Sequence, residues 1–373
     1  MNTTSKKKGR WIALAIIAIL LFLFILVPAI TTRYAKSKII ESINNNSQYT
    51  LEIGDLSLKG WNGLVFTSIK MKPKLDRYTY NKENGYNSDW ITVEIDQLTM
   101  EGIDWKQYFS HKLFYVEQIS LDKPSLYAFR DMTLPDAPFE RQPLPAELLR
   151  EASQLFTIGQ IDFNQGSVTY EEIPPTGGST HVVPFTDLNG QLIHLSSDSS
   201  YFQKHPVGLT ITGNILESIY AHLDFAFETA DKHNAFLLEG YLGDFEAKLL
   251  NEYVIPHADL KITSGQVDSI WFNMKANEDV SEGILHMDYH DLTITSNPSN
   301  ESKKIVDFKK LAAKLFIKEK SDVELQENLG FINFERTKDR FIFNYIWNSF
   351  KTGIALVVIN LPDNLLEKKL RTK

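Results

Sequence analysis

Two histidines, His286 and His290, stand four residues apart in the second half of the chain, with acidic residues around them. On a helix this spacing would place both imidazoles on one side, where they could share a metal ion. The neighbouring residues Leu285, Met287 and Tyr289 alternate with polar ones, which is typical of a strand. Residues four apart on a strand are separated by about 13 Å, too far to share one ion directly. We therefore predict histidines on a solvent face and no metal site.

Sequence motifs of catalysis and phosphate binding are absent. The chain contains no Gly-x-Ser-x-Gly, no Walker-type loop, no His-Glu-x-x-His and no Gly-x-Gly-x-x-Gly. The adjacent pair Glu171 and Glu172 would point to opposite faces of a strand, so these two carboxylates cannot form a hydrolase dyad. We predict that the protein is not an enzyme, has no catalytic residues and needs no cofactor.

The elements that position these side chains are mostly strands. Alternation of apolar and polar residues recurs along the body, and turn signals such as Asn62-Gly63 and Asn189-Gly190 separate the segments. Strands joined by short turns favour antiparallel meanders. Besides the alternating segments at 223–228, 266–277 and 285–290, strands are predicted at residues 50–58, 64–72, 90–100, 113–121, 124–130, 156–163, 166–172, 181–195, 207–213, 234–242, 257–263 and 329–347 with a break.

Alternating large apolar residues on these strands suggest two different structures. They could form an ordinary closed core, or a curved sheet whose apolar face stays open as a trough for acyl chains. An open trough would exceed the few hundred Å² of apolar patch that soluble proteins tolerate, so lipid or a partner would cover it. The candidates for the lining of such a groove are Leu223, Phe225, Phe227, Ile270, Phe272 and Met274.

Helical periodicity is confined to a few segments. Residues 303–320 carry apolar side chains at helical spacing with lysines opposite, which predicts the main helix of the body. Residues 146–155 and 246–253 predict one or two turns each. Near the C-terminus we predict a strand at 341–347, a short amphipathic helix or turn at 348–359 that does not cross the membrane, and a polar tail at 362–373.

An internal repeat links two segments offset by 42 residues. Gln118-Ile-Ser-Leu-Asp-Lys-Pro-Ser-Leu and Gln160-Ile-Asp-Phe-Asn-Gln-Gly-Ser-Val share the pattern Gln-Ile-x-(Leu/Phe)-x-x-(Pro/Gly)-Ser-(Leu/Val). Each copy suggests strand, tight turn, strand. Repeated hairpins of this kind stack into a quasi-one-dimensional sheet.

The N-terminal region contains 22 uncharged residues, 11–32, bounded by basic residues on both sides. A helix of that length is about 33 Å long, enough to cross the hydrocarbon core of a bilayer. A cleaved secretory signal would have a shorter apolar region of about 7–15 residues and a small-x-small cleavage site. We therefore predict an uncleaved single-pass anchor. Its basic cluster at residues 6–10 places the N-terminus in the cytoplasm.

The net charge and the cysteine content of the chain argue against several classes of partner and site. The four basic residues before the span have no acidic neighbours, so residues 11–373 carry a formal charge of −12, four units more negative than the −8 of the whole chain. This balance argues against a nucleic-acid groove, which needs clustered Lys and Arg. The chain has no cysteine, which excludes disulfides, thiol catalysis and zinc–thiolate sites.

The domain organisation follows from these segments. We assign residues 1–10 to a cytoplasmic tail, 11–32 to the transmembrane anchor and 36–131 to a first β module. Four prolines at 132–145 mark a proline-rich linker with a short helix, 132–154. Residues 155–373 form a second β module, with the helix near 303–320.

Several segments resemble the AsmA-like envelope proteins of Gram-negative bacteria: IGDLSLKGWNGLVFTSIKM, ISLDKPSLYAFRD and IGQIDFNQGSVTYEE in the first half, and LLNEYVIPHADLKITSGQVDSIWFNMKANEDVSEGILHMDYHDLTI and INFERTKDRFIFNYIWNSFKTGIALVV later. The resemblance implies a mainly β fold, with an N-terminal transmembrane helix followed by an elongated antiparallel sheet of repeated hairpins and few helices.

The same resemblance implies a location and a function. The protein would sit in the inner membrane with its body in the periplasm. It would handle or transfer lipid through an apolar β-groove, in support of outer-membrane homeostasis. Its partners would be membrane lipids, including phospholipid acyl chains, and other envelope proteins. The alternative is a structural or assembly protein of the envelope, whose closed β-body binds other proteins.

Overall fold

The computed structural model describes residues 32–175, 177–258, 260–296, 316–317 and 328–360. It is mainly β, as the alternation predicted. The chain folds as two units. The first comprises Met1–Glu217, Leu223–Phe236 and Lys338–Phe341, and the second comprises Ser218–His222, Leu237–Thr337 and Ile342–Lys373.

The first unit is built on a mixed sheet. Its hydrogen-bonded order is β1-β2-β3-β4-β6-β7-β8-β9, and β5 pairs with both β3 and β6. Strand β9 belongs to this unit only from Leu223 onward, because the segment Ser218–His222 belongs to the second unit. The strands are β1 (Tyr49–Leu58), β2 (Leu64–Pro73), β3 (Trp90–Glu101), β4 (Phe114–Asp122), β5 (Ser125–Asp131), β6 (Phe156–Ile173), β7 (His181–Ser196), β8 (Val207–Ile215) and β9 (Ile219–Phe227).

Five helices accompany these strands. They are α1 (Thr32–Asn46), α2 (Arg77–Asn84), α3 (Trp105–His111), α4 (Pro145–Arg150) and α5 (Ser199–Phe202). Side-chain caps fix where α2 and α3 begin, because Asp76 accepts from two backbone N–H groups and Asp104 accepts from one.

The expected antiparallel meander is wrong at β6, which runs parallel to both β4 and β5. The pairing register equals the offset of the internal repeat: Gln118 lies opposite Gln160, and Ser125 lies opposite Ser167. Parallel neighbours need a long crossover connection. Residues 132–155 supply that crossover between β5 and β6, and the sequence assigned 132–154 of them to a proline-rich linker with a short helix.

The repeat is a long interrupted strand and not a hairpin, which corrects the expected strand-turn-strand copies. In the first copy β4 and β5 both pair antiparallel with β3, so they run in one direction on either side of Lys123. In the second copy β6 is continuous, with a register shift around Gly166. Lys123 and Gln165 have φ values of 47° and 52°. A single left-handed residue at each position produces a bulge without reversing the chain.

The crossover is held in place by polar contacts within the first unit. Arg150, at the end of α4, donates through Nη1 to the carbonyl oxygens of Thr229 and Asp231 at 2.9 and 3.1 Å. Arg141 donates to the buried carboxylate of Glu147 at 2.8 Å. These charge-assisted bonds fix the path by which the chain returns to the starting end of β6.

The second unit contains a long hairpin of β12 and β13. Its hydrogen-bonded order is β10-β12-β13-β15, with β11 on β12, and β14 pairs separately with β16. Its elements are β10 (Phe236–Leu242, within the unit from Leu237), β11 (Phe245–Glu246), a 3₁₀ helix (Ala247–Leu250), α6 (Asn251–Ala258), β12 (Leu260–Ala276), β13 (Val280–Ser296), β14 (Phe316–Ile317), β15 (Leu329–Glu335), α7 (Ile342–Val358) and β16 (Ile359–Asn360).

The strand predicted at residues 341–347 is wrong, because α7 begins at Ile342. The helix expected at 348–359 is confirmed almost to its end. The residues that α7 buries are Tyr345, Ser349, Phe350, Gly353 and Val357, a helical spacing. The helix predicted at 303–320 lies outside the described residues except for Phe316 and Ile317, which form β14. The polar tail at 362–373 also lies outside them.

Helix α7 packs closely on the β13–β15 part of the sheet through small residues. Ser349 and Ser281 are both fully buried, and their hydroxyls lie 2.7 Å apart. A Cβ added to Gly353 would meet Leu285 Cβ at 2.9 Å and Ile332 Cγ1 at 3.2 Å. The glycine therefore sets how near the helix comes to the sheet.

Replacing Gly353 with leucine is expected to lower the free energy of unfolding by about 1–3 kcal/mol, the usual cost of overpacking a core. The side chain would have to enter the space of Leu285 and Ile332. Urea denaturation monitored by circular dichroism measures the change. Ala355→Leu, on a partly exposed position of the same helix, is the matched control. Equal stability of the two variants would contradict the close packing.

Candidate functional site: an apolar face across the first unit

Pairing in the first unit aligns apolar residues into two rows that run across the strands. Partners in a sheet point to the same face. The first row follows the printed pairs through Leu58, Leu64, Met100, Ile119, Ile161, Leu192 and Leu209. The second row follows Leu56, Phe66, Leu98, Leu121, Phe163, Gly190 and Ile211.

Both rows continue onto β9. Thr210 Oγ1 donates to Asp224 Oδ1 at 2.6 Å, which places these two polar side chains on one face. Alternation then puts Leu209 and Ile211 of β8, and Leu223 and Phe225 of β9, on the opposite face. We call this surface, formed by the two rows and their continuation on β9, the apolar face. It crosses eight neighbouring strands, a distance of roughly 34 Å at the usual strand spacing.

The exposure of the apolar face changes along its length. At its start on β1 the face is exposed at Leu58, and over β2 to β4 it is mostly core, with Leu64, Phe66, Met100 and Ile119 fully buried. From β7 onward it becomes partly exposed. We call this part the open section, and it consists of Leu192, Leu209, Ile211, Leu223 and Phe225.

Gly190 shapes the boundary between the covered and open parts. A Cβ at this position would lie 2.4 Å from Phe163 Cζ, so the Phe163 ring occupies the space that a side chain would fill. The same Cβ would lie 2.3 Å from the Thr210 carbonyl oxygen. Residue 190 must be a glycine because the ring of Phe163, a residue of β6, lies across the neighbouring strand β7.

The structure separates the six candidates for the groove lining into two groups. Leu223 and Phe225 belong to the open section. Phe227 is buried, and its ring lies between Phe225 at 5.7 Å and Phe236 at 5.9 Å. These three residues lie in the first unit.

The other three candidates lie in the second unit. Ile270, Phe272 and Met274 on β12 are at most 4% exposed. Phe272 packs edge-on against Phe350 of α7, with 5.1 Å between ring centroids. In this unit the helix covers the apolar side of the strands.

Sequence reasoning missed Leu192, Leu209, Ile211 and Phe163. Each of them lies in a segment that was predicted as a strand. Their alternation with polar residues, such as Leu209-Thr210-Ile211, was the available signal. It was short and interrupted by glycines, so it did not stand out among the stronger aromatic patterns.

The reverse face of the same strands carries a carboxylate surrounded by amides. Asp162 accepts hydrogen bonds from Gln118 at 2.7 Å, from Gln160 at 2.8 and 2.9 Å, and from Gln191 at 3.1 Å. Partial burial opposes ionisation of Asp162, but the three amide donors outweigh it, so its pKa is lowered. The 42-residue register creates this cluster, because it sets Gln118 beside Gln160.

A second polar cluster joins α2 to β5 and β6. Arg77 Nη1 lies 3.1 Å from Glu171, and the Tyr127 hydroxyl donates to the same carboxylate at 2.6 Å. The guanidinium also stacks over the rings of Tyr78 and Phe129, at 4.9 and 4.6 Å. Burial, together with the bond to Glu171, raises the pKa of Tyr127 to about 12. These groups satisfy one another's hydrogen-bonding capacity, and they hold α2 against the sheet.

His286 and His290 lie on β13, as predicted from their alternation with buried neighbours. The His286 ring stacks on Trp271, and His290 Nδ1 lies 2.9 Å from Asp291. Among the described residues, no group of three or more His, Asp or Glu side chains is arranged to hold a metal ion.

The predicted anchor at residues 11–32 lies outside the described residues except for Thr32, where α1 begins. In the part of the chain that is described, no helix is both long and apolar enough to cross a bilayer.

Comparison with known proteins found no family model that matches the chain, and no curated protein matches it.

The lowered pKa of Asp162 predicts a pH-dependent contribution to stability. A depressed native pKa stabilises the fold above the unfolded value of about 3.9, and this contribution is lost as pH falls through the native pKa. The difference in unfolding free energy between wild type and Asp162→Asn should therefore be constant above about pH 5 and shrink toward acid. Urea denaturation between pH 3 and 7 measures it.

Gln160→Ala is the matched control for this titration. It keeps the carboxylate but removes one amide donor, so the native pKa should move toward the unfolded value. The pH-dependent part of the stability should then be smaller than in wild type. An unchanged pH profile in both variants would contradict the proposed role of the amides.

Proposed function

We propose that this protein is a membrane-anchored, lipid-handling component of a Gram-negative cell envelope, similar in kind to the AsmA-like proteins. Residues 11–32 anchor it in the inner membrane, with the N-terminus in the cytoplasm and the β-body in the periplasm. The apolar face of the first unit receives phospholipid acyl chains, and the protein supports outer-membrane homeostasis without catalysing a reaction.

The observation that carries this proposal is the continuity of the apolar face. Its two rows lie about 7 Å apart, because each strand contributes residues two positions apart. They extend without a charged residue from a mostly buried part on β2 to β4 to the open section on β7 to β9. Partly exposed Leu, Ile and Phe side chains in a contiguous patch are typical of an interaction site.

An acyl chain suits this surface better than a polar ligand. The side chains of the open section are aliphatic or aromatic, and the polar groups Thr210 and Asp224 lie on the other side of the sheet. A ligand that makes few directional contacts would bind there through burial of apolar area alone. The formal charge of −12 on residues 11–373 also makes a polyanionic ligand unfavourable.

The alternative is a structural or assembly protein with a closed β-body. The specific observation in its favour comes from the second unit, where α7 covers the apolar strand face and leaves Ile270, Phe272 and Met274 buried. On this reading the open section of the first unit would bind another envelope protein and not a lipid.

Replacing Leu209 and Phe225 with glutamate is expected to abolish acyl-chain binding while the fold is kept, because both side chains are already partly exposed. The full chain in liposomes is irradiated with a phospholipid that carries a photoreactive group on its acyl chain. Mass spectrometry then locates the cross-linked peptides. Wild type should be labelled on β7 to β9, and the double variant should lose this labelling.

Thr212→Glu is the matched control, because it adds a negative charge on β8 on the side away from the apolar face. It should keep the labelling of wild type. Undiminished labelling of a folded double variant would refute the lipid groove. Unfolding of the double variant, seen by circular dichroism, would favour a closed core because an unpaired buried charge is costly.

A further inference from the structure

The first helix runs antiparallel to β1, and this direction locates its beginning. Near the end of α1, the Asn44 side chain accepts from the Leu51 backbone N–H at 2.7 Å. Near its beginning, Lys36 Nζ donates to the Gly54 carbonyl oxygen at 2.6 Å. The helix therefore starts toward the end of the unit where β1 turns into β2. Any chain that precedes Thr32 enters the unit at that end.

The same end exposes large apolar side chains. The turn between β1 and β2 holds Trp61 at 98% exposure, beside Leu58 at 61%, and Phe109 on α3 is 50% exposed. We call these three residues the apolar tip. A tryptophan with almost its whole surface in water is unfavourable unless another phase or molecule covers it.

Hydrogen bonds fix the backbone of the turn that carries Trp61. Trp105 Nε1 donates to the Trp61 carbonyl oxygen at 3.0 Å, and the Ile103 backbone N–H donates to the Asn62 carbonyl oxygen at 2.9 Å. Within the turn, the Lys59 N–H donates to the Gly63 carbonyl oxygen at 2.9 Å. These bonds tie the turn to the beginning of α3, so the backbone that carries Trp61 is fixed relative to α3.

Three lysines lie on or next to the elements that carry the apolar tip. Lys106 and Lys112 are exposed on and just after α3, and Lys112 lies 5.8 Å from the ring centroid of Tyr108. Lys59 pairs with Glu101 at 3.0 Å. Exposed aromatic and leucine side chains with lysines on the same elements suit a membrane interface, where acyl chains lie below the phosphate groups.

We propose that the apolar tip is inserted in the interfacial layer of the bilayer that holds the segment at residues 11–32. This segment has the length and composition of a membrane span. Its last residue, Thr32, starts α1 at the end of the unit that carries the apolar tip. Along the direction of β1, the four residues from Lys36 back to Thr32 rise about 6 Å. The four residues from Gly54 to Leu58 extend about 13 Å, so Leu58 lies roughly 7 Å further toward this end than Thr32 does.

The inference goes beyond lipid handling and rests only on the anchor within the proposed function. A span alone leaves the body free to rotate on its connection. A second, apolar contact close to the exit point fixes the orientation of the first unit on the membrane. Turn β1–β2 then lies at the bilayer, and β2 runs away from it toward α2.

The absence of cysteine allows a single-label test on the full chain. Asn62→Cys, next to Trp61, and Lys82→Cys, on exposed α2 at the far end of β2, are each labelled with an environment-sensitive fluorophore. The proteins are reconstituted in liposomes that contain lipids with a nitroxide quencher near the headgroup. The label at 62 should shift to shorter emission wavelength and be quenched several-fold more than the label at 82.

A further variant separates the apolar tip from the anchor. Trp61→Ser with Phe109→Ser, in the Asn62→Cys background, should reduce quenching to the level at 82, since the anchor remains but the tip no longer partitions. Flotation of the protein with liposomes without excess quenching at 62 overturns the docking and leaves the anchor standing. Failure to float overturns both. Undiminished quenching in the serine variant shows that the aromatic side chains do not carry the contact. Cross-linking at the open section reports lipid handling separately from each of these results.

Discussion

The parallel pairing of β6 with β4 and β5 is the constraint on which the first unit depends. A strand that paired antiparallel at this place would reverse the order of residues along it. The register of 42 residues would then no longer bring Gln118 to Gln160 or Ile119 to Ile161. The crossover at 132–155 makes the parallel arrangement possible. The bonds from Arg150 to the carbonyl groups of Thr229 and Asp231 hold that crossover in position.

Both faces of the sheet follow from this register. Side chains alternate along a strand, so one alignment fixes the two faces at once. On one face Ile119, Ile161 and Leu192 come side by side and extend the apolar rows. On the other face the carboxylate of Asp162 falls among three glutamine amides. A slip by one residue would bury these amides and expose the isoleucines, so the polar cluster and the apolar face stabilise the same register.

Much of the strand content could be predicted from alternation, and the predicted segments at 50–58, 64–72 and 207–213 lie within or nearly within the observed strands. The direction of β6 could not be predicted, because the alternation of apolar and polar residues is the same in parallel and antiparallel pairs. The internal repeat contained the information, but a left-handed residue such as Lys123 gives the same local signal in a bulge as in a turn. At α7, the aromatic and β-branched content of residues 341–347 favoured a strand, although Asn344, Asn348 and Lys351 have helical spacing. The contact of that helix with Leu285 is a tertiary effect that local propensity does not encode.

For the candidate site, the sequence identified Leu223 and Phe225 but could not show which apolar strand faces are covered. In the second unit a helix covers such a face. In the second unit Ser349 and Gly353 let α7 pack on the sheet, and Ile270, Phe272 and Met274 are removed from water.

In the first unit the apolar face stays partly exposed over β7 to β9, where Leu209 and Phe225 retain access to solvent. One row of this face starts at Leu58, a residue of the apolar tip. If the tip lies in the bilayer interface, that row leads from the membrane surface across the strands, through the buried stretch at Leu64 and Met100, to the open section. The buried stretch is side-chain packing and not a channel, since these residues are fully buried. A lipid would therefore have to reach the open section along its exposed edge on β7 to β9, and not along the rows on β2 to β4.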